Sequence, residues 1–187
     1  VPFHSYEPYL AKLIRAGFRV AICEQTETPE EAKKRGGAKA LVNRDVVRLV
    51  TAGTITEDHL LEARQNNYLA ALAEAGGQFA LAWLDLSTGE FLVQPVQAGE
   101  VGASLERLDA SEILVPDRLQ DHEALEGHLT LFRNKMTLQP ASLFDSRNAQ
   151  RRLEETFGVE TLESFGGFSP AEIAAAAKGG DPSKVDA

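Results

Sequence analysis

The stretch "NYLAALAEAGGQFALAWLDLS", residues 67–87, decides how the rest of the chain is read. Two apolar runs flank Gly76-Gly77, a dipeptide suited to the positive φ of a tight turn. The segment therefore predicts two antiparallel strands, the second running through Leu86. Residues 87–90 turn the chain again, and "FLVQPV" (91–96) returns as a third strand. Downstream the period changes. Val101, Leu105 and Leu108, four and three apart, predict a helix. "SEILVP" (111–116) predicts a short buried strand, a short helix is expected near 121–127, and "LTLFR" (129–133) is expected to be a further strand.

Asp145 is placed to cap a helix that carries Ala149, Leu153 and Phe157 on one face and stops at Gly158. "SPAE" (169–172) has the capping-box pattern with Pro170 at the first helical position, so another helix begins there. Strands first, then alternation with helices, imply an α/β fold: a mixed sheet with flanking helices, compatible with a ribonuclease H-like domain among others.

Upstream, "VPFHSYEPYLAKLIRAG" (1–17) reads as a helix capped by Ser5, with Pro8 in the first turn and Gly17 as the stop. Its apolar face is Tyr6, Leu10, Leu13 and Ile14. "FRVAICEQ" (18–25) alternates like a strand, and "RDVVRLVT" (44–51) is a β-branched strand. Between them Thr28, Pro29 and Glu31 form a capping box that opens a short helix. A helix and strand with no earlier element to pair with predict a partial α+β domain. The expected organisation is that partial domain over 1–51, a linker ending in a short helix around Leu60 and Leu61 over 52–66, and a main domain over 67–177. Residues 178–187 read as a tail of linker composition with the character of an added sequence.

The 187 residues, 43% of them hydrophobic, are enough for a sizeable core. No run approaches the roughly 18 apolar residues of a membrane span, and no secretory signal is visible. Cys23 is the single cysteine, which excludes an internal disulfide or a cysteine-based metal cluster. A soluble, cytoplasmic chain without a membrane partner is expected. The net charge of −9 argues against a protein that coats nucleic acid by bulk electrostatics. Its distribution is uneven: residues 1–51 hold nine Lys/Arg against six Asp/Glu, and residues 52–187 hold ten against twenty-two.

Neither a phosphate-cradling P-loop nor a G-x-G-x-x-G motif occurs. His4, His59, His122 and His128 lack zinc-binding spacing and read as surface residues. Asp85 is the one residue that invites a catalytic reading. A ribonuclease H-like nuclease needs several carboxylates converging on two metal ions, because each ion wants hard oxygen ligands. Asp85 stands on a suitable strand, but Glu90 lies across the turn, and "SEILVP" and "LTLFR" are expected to add no inward carboxylate. A turn function for Asp85, Ser87, Thr88 and Gly89 is therefore favoured, since Asp and Ser/Thr side chains accept hydrogen bonds from turn amides. The metal-dependent nuclease centred on Asp85 is the alternative.

Several blocks together, "VPFHSYEPYLAKLIRAGFRVAICEQ", "RDVVRLVTAGT", "LLEARQNNYLAAL" and "LDLSTGEF", resemble the front of the MutS-type DNA mismatch-repair proteins. The resemblance runs over about residues 1–177. It implies that 1–51 is the rear of a mismatch-recognition domain and that the main domain is a connector, ribonuclease H-like in fold and not catalytic. Ala52 departs from the family's usual Pro in the "TPGT" linker, which implies a more flexible linker.

Further implications concern contacts. The recognition domain would touch the backbone of mismatched double-stranded DNA, with His4, Lys39, Arg44 and Arg48 as candidates. The connector would receive a MutL-type partner and relay between DNA-binding and ATPase regions, with Gln150, Arg151 and Arg152 projecting away from the core face of their helix. The family's aromatic wedge would precede Val1, and its ATPase, with ATP and Mg²⁺, and its dimerising regions would follow Ala187. No cofactor and no metal are expected in the chain itself.

Overall fold

The computed structural model describes residues 5–37, 39–56 and 66–180, and the chain divides into two compact units, one ending at Thr51 and one starting at Ala52. The first unit contains α1 (Glu7–Arg15), β1 (Val20–Gln25), α2 (Pro29–Gly36) and β2 (Arg44–Val50). Pro8 lies in the first turn of α1 as expected, but the cap residue is Tyr6 rather than Ser5. Tyr6 is already in the right-handed helical region (φ −74°, ψ −30°) and makes no side-chain cap bond. At the other end Gly17 takes φ +81°, and the amides of Gly17 and Phe18 donate to Ile14 and Leu13 carbonyls at 2.9 and 3.0 Å. That closure leaves Phe18 outside β1 and 60% exposed, against the expected alternation. The Thr28–Glu31 capping box forms in both directions.

β1 and β2 pair antiparallel, with Ile22 opposite Arg48 and Cys23 opposite Val46, so Val47 is an extra, bulged residue. Of the eleven large hydrophobics exposed among the described residues, Tyr9, Leu13, Phe18, Leu41, Val46 and Val47 belong to this small unit.

The second unit contains β3 (Tyr68–Ala75), β4 (Gln78–Asp85), β5 (Glu90–Val96), α3 (Val101–Leu108), β6 (Glu112–Pro116), β7 (Met136–Gln139), α4 (Ser146–Phe157) and α5 (Pro170–Gly179). Its sheet has the order β5-β4-β3-β6-β7. β5, β4 and β3 are antiparallel, and β6 and β7 continue parallel to β3. The hairpin turns at Gly76 and Gly77, with φ +62° and +78°.

The pleat of β3 sends successive side chains to opposite faces, and both faces are covered. Leu69, Ala71 and Ala73, with Ala80 and Ala82 of β4, pack among α4 and α5 residues. Ala70 and Leu72, with Leu81, pack with Val101 and Leu105 of α3 and with Leu119, Leu125 and Leu129. This double burial explains why the quoted stretch is nearly continuously apolar. On the first face the small side chains let α5 come close. A Cβ added at Gly179 would lie 3.4 Å from Ala82 Cβ and 3.5 Å from Ala71 Cβ. The Ser169–Glu172 capping box starts α5. The helix continues through Lys178 and Gly179, both buried, two residues into the segment expected as a tail.

"LTLFR" is not a strand. Residues Thr130–Phe132 form a 3₁₀ turn, and the edge strand is Met136–Gln139. The helix expected near 121–127 is likewise only a 3₁₀ turn, Glu123–Leu125. The strand composition misleads because the inward residues are three apart: Leu129 is buried and Phe132 packs against the same cluster, while Leu131 is 81% exposed. The Leu60/Leu61 helix lies outside the described residues. Leu129→Ala should therefore cost about 2–4 kcal/mol of unfolding free energy and Leu131→Ala less than about 0.5, read from urea midpoints. Equal costs at the two positions would mean that the strand reading was right.

Candidate functional site

Asp85 ends β4 and is 1% exposed. Its Oδ1 accepts from the Ser87 amide at 2.8 Å and the Ser87 hydroxyl at 2.6 Å, and its Oδ2 accepts from the Asn67 amide at 3.1 Å. Gly89 takes φ +74°, its amide donates to the Asp85 carbonyl at 2.8 Å, and Thr88 Oγ1 accepts from the Glu90 amide at 3.2 Å. Burial by itself would raise the Asp85 carboxyl. The Ser87 hydroxyl and amide and the Asn67 and Thr88 amides outweigh it, so the pKa lies below the ordinary carboxylate value.

Two backbone amides and one hydroxyl thus donate to this carboxylate. Among the described residues, no three His, Cys, Asp or Glu side chains lie close enough together to hold a metal ion. The nuclease alternative therefore finds no support in the geometry. The expectation that "SEILVP" adds no inward carboxylate was wrong, however. Glu112, at the start of β6, is 4% exposed. Its Oε1 accepts from the Thr137 hydroxyl at 2.7 Å and its Oε2 from the Gly53 amide at 3.3 Å. The signal that was missed is a carboxylate opening a strand otherwise made of buried apolar residues. Asn67 was missed as well: its side chain donates to the Ala52 carbonyl at 3.0 Å and accepts from Ser111 Oγ at 2.7 Å.

The residues expected to face DNA differ in exposure and in strand face. His4 lies outside the described residues. Lys39 and Arg44 are exposed and Arg48 is half-buried. The extra residue at Val47 breaks the even spacing that would have put Arg44 and Arg48 on one face of β2. Arg35 is committed internally: it donates to Glu27 at 2.6 Å, the Leu41 carbonyl at 3.1 Å and Asn43 Oδ1 at 3.3 Å. The Glu27 carboxyl is held below its usual range, chiefly by Arg35 and then by the Asn43 amide.

On α4, Asp145 caps the helix through the Asn148 amide and Gly158 ends it at φ +64°. Gln150 and Arg151 project outward: Gln150 bonds Glu154 at 2.8 Å, and the 72%-exposed Arg151 side chain reaches Glu155 at 3.7 Å. Arg152 does not project with them. It is half-buried and folds back to donate to the Leu143 carbonyl at 3.1 Å. Phe157, expected on the core face, is 48% exposed. It stacks with Phe91 at 6.4 Å and tilts against Phe165 at 5.7 Å, beside a groove of about 430 Å³ that Leu153, Phe168 and Ile173 also line. Of the histidines expected at the surface, His122 and His128 are half-buried, His122 accepting from the Ala124 amide and standing edge-on to Phe79.

Two successive family domains match the chain, the first running past the boundary of the first unit at Thr51. The model for MutS domain I matches residues 1–59, and the model for MutS domain II matches residues 67–178. The chain belongs to the MutS family. Relatives named DNA mismatch repair protein MutS include those of Roseobacter denitrificans, 50% identical over 177 residues, and Caulobacter vibrioides, 50% identical over 175. That of Anaplasma phagocytophilum is 42% identical over 175 residues. Each alignment covers 94% of this chain, and the chain spans about a fifth of each relative (20%, 19% and 21%). Among the described residues, no helix is long and apolar enough to cross a membrane.

Because the folded pKa of Asp85 is depressed, its charge stabilises the protein above the ordinary carboxylate range, and that contribution is lost as pH falls through the folded value. Asp85→Asn should cost about 1.5–3 kcal/mol at neutral pH, with the gap to wild type narrowing in acid. A gap that stays constant from neutral pH to below pH ~3 would show that the charge is not what the turn uses.

Proposed function

We propose that this chain carries two modules of a DNA mismatch-repair protein and that neither module is catalytic. The tandem match to MutS domains I and II carries this reading. The first module, in the family's recognition position, is proposed to contribute Lys39, Arg44 and Arg48, with His4, to the backbone of mismatched double-stranded DNA. Its many exposed hydrophobics support a role in a larger assembly of elements.

The second module is proposed to be a ribonuclease H-like connector. A meander of three antiparallel strands followed by two parallel crossovers supports that fold. Its proposed role is to dock a MutL-type partner and to relay between DNA-binding and ATPase regions. ATP and Mg²⁺ are proposed to act outside these two modules, and the chain is proposed to need no cofactor of its own. The docking candidates narrow to Gln150 and Arg151, because both project from α4 whereas Arg152 is tied to Leu143. Exposed Arg is a frequent anchor at interfaces, while Arg152 is better suited to hold α4 in place.

A pull-down with a MutL-type partner tests the assignment. Arg151→Glu should weaken capture about tenfold or more, the scale of a single interface anchor, and Arg147→Glu at the start of the same helix should weaken it less. Unchanged capture by the Arg151 variant would remove α4 from the interface. Purified chain should hydrolyse no ATP and show no preference for mismatched over paired duplex.

A further inference from the structure

We propose that Glu112 fastens residues 52–56 to the sheet as a strap, so that this segment moves as part of the second unit instead of serving as slack linker. Gly53, Thr54 and Ile55 are all buried, Thr54 and Ile55 at 5% and 8% exposure. A carboxylate buried as deeply as Glu112 is costly unless hydrogen-bonded, and here both oxygens have donors. One donor, Thr137, belongs to β7. The other is the amide of Gly53 in the strap itself. Glu112 thus joins the strap to two parallel strands through one side chain.

Two further features point the same way. A Cβ at Gly53 would stand 2.9 Å from both Glu112 Cβ and Leu69 Cδ1, so the strap lies against the sheet at a distance only glycine allows. Beside it, Asn67 holds the Ala52 carbonyl, and Asn67 is itself fixed by Asp85 and Ser111. The strap is therefore held at Gly53 by Glu112 and at Ala52 by Asn67. The flexibility expected from Ala52 in place of Pro is countered by these hydrogen bonds and not by the backbone of residue 52.

Hydrogen exchange on the 187-residue chain tests the strap. Glu112→Leu should speed exchange at the Gly53–Ile55 amides about tenfold or more, the effect of losing a charged buried hydrogen bond, while β3 and β4 amides stay protected. Glu112→Gln keeps a carbonyl acceptor for Gly53 and an amide donor for the Thr137 hydroxyl, and should restore slow exchange. Gly53→Ala attacks the same contact from the strap side and should release the same three amides. Unchanged exchange at 53–55 in both the Leu and the Ala variants would overturn the proposal. So would acceleration in both that spreads equally through β3 and β4, because the segment would then have no separate fastening.

Discussion

Alanine facing alanine is the constraint on which the second unit rests. Ala71, Ala73, Ala80 and Ala82 on the sheet meet Ala171, Ala174, Ala175 and Ala177 on α5, all of them buried. Small side chains on both surfaces bring helix and sheet backbones close, where many weak dispersion contacts add up and leave no room for water. Larger residues on either surface would push α5 outward, and α4 packs against α5. The position of α4, and with it the outward direction of Gln150 and Arg151, is therefore set by side chains that carry no chemistry of their own. The other face of the sheet is filled with larger residues, Leu72, Leu81, Val101 and Leu105, and tolerates the irregular 3₁₀ segments that lie over it.

The polar groups follow a second rule. At the end of the sheet where β3 begins, Asp85 and Glu112 are both buried, and the atoms that meet them are amides and hydroxyls. Register explains why they sit together: Tyr68 lies opposite Asp85, and the next residue, Leu69, lies opposite Glu112. Such carboxylates are satisfied by the fold and orient backbone, which is a different use from ligating a metal ion. The surfaces proposed to act are the outer side of α4 in the second unit and basic residues of the first.

Local chemistry was the part of the fold legible in the sequence. Both capping boxes, Thr28 with Glu31 and Ser169 with Glu172, form as their spacing requires, and Gly76-Gly77 turns the central hairpin. These signals depend on residues within four positions of each other. Tertiary choices were not legible. "LTLFR" has the composition of a strand, yet Leu129 and Phe132 point inward from a 3₁₀ turn. Arg152 was expected to project outward, yet it stands three residues after buried Ala149 and donates to the Leu143 carbonyl. Glu112 has partners 59 and 25 residues away in sequence, which no window-based pattern contains. On α4 the docking candidates came from the family resemblance, and the packed structure separates exposed Arg151 from half-buried Arg152.

The central claim is that the buried carboxylates of the second unit serve the fold, so that function lies on its surfaces. Titrating the chain with Mg²⁺ while following the backbone amides of Asn67, Ser87 and Gly53 by NMR tests it most directly, since each amide donates to Asp85 or Glu112. The account predicts that none of the three resonances moves at millimolar Mg²⁺ and that the chain cleaves no nucleic acid. Saturable shifts at all three amides, accompanied by Mg²⁺-dependent cleavage that Asp85→Asn abolishes, would contradict it.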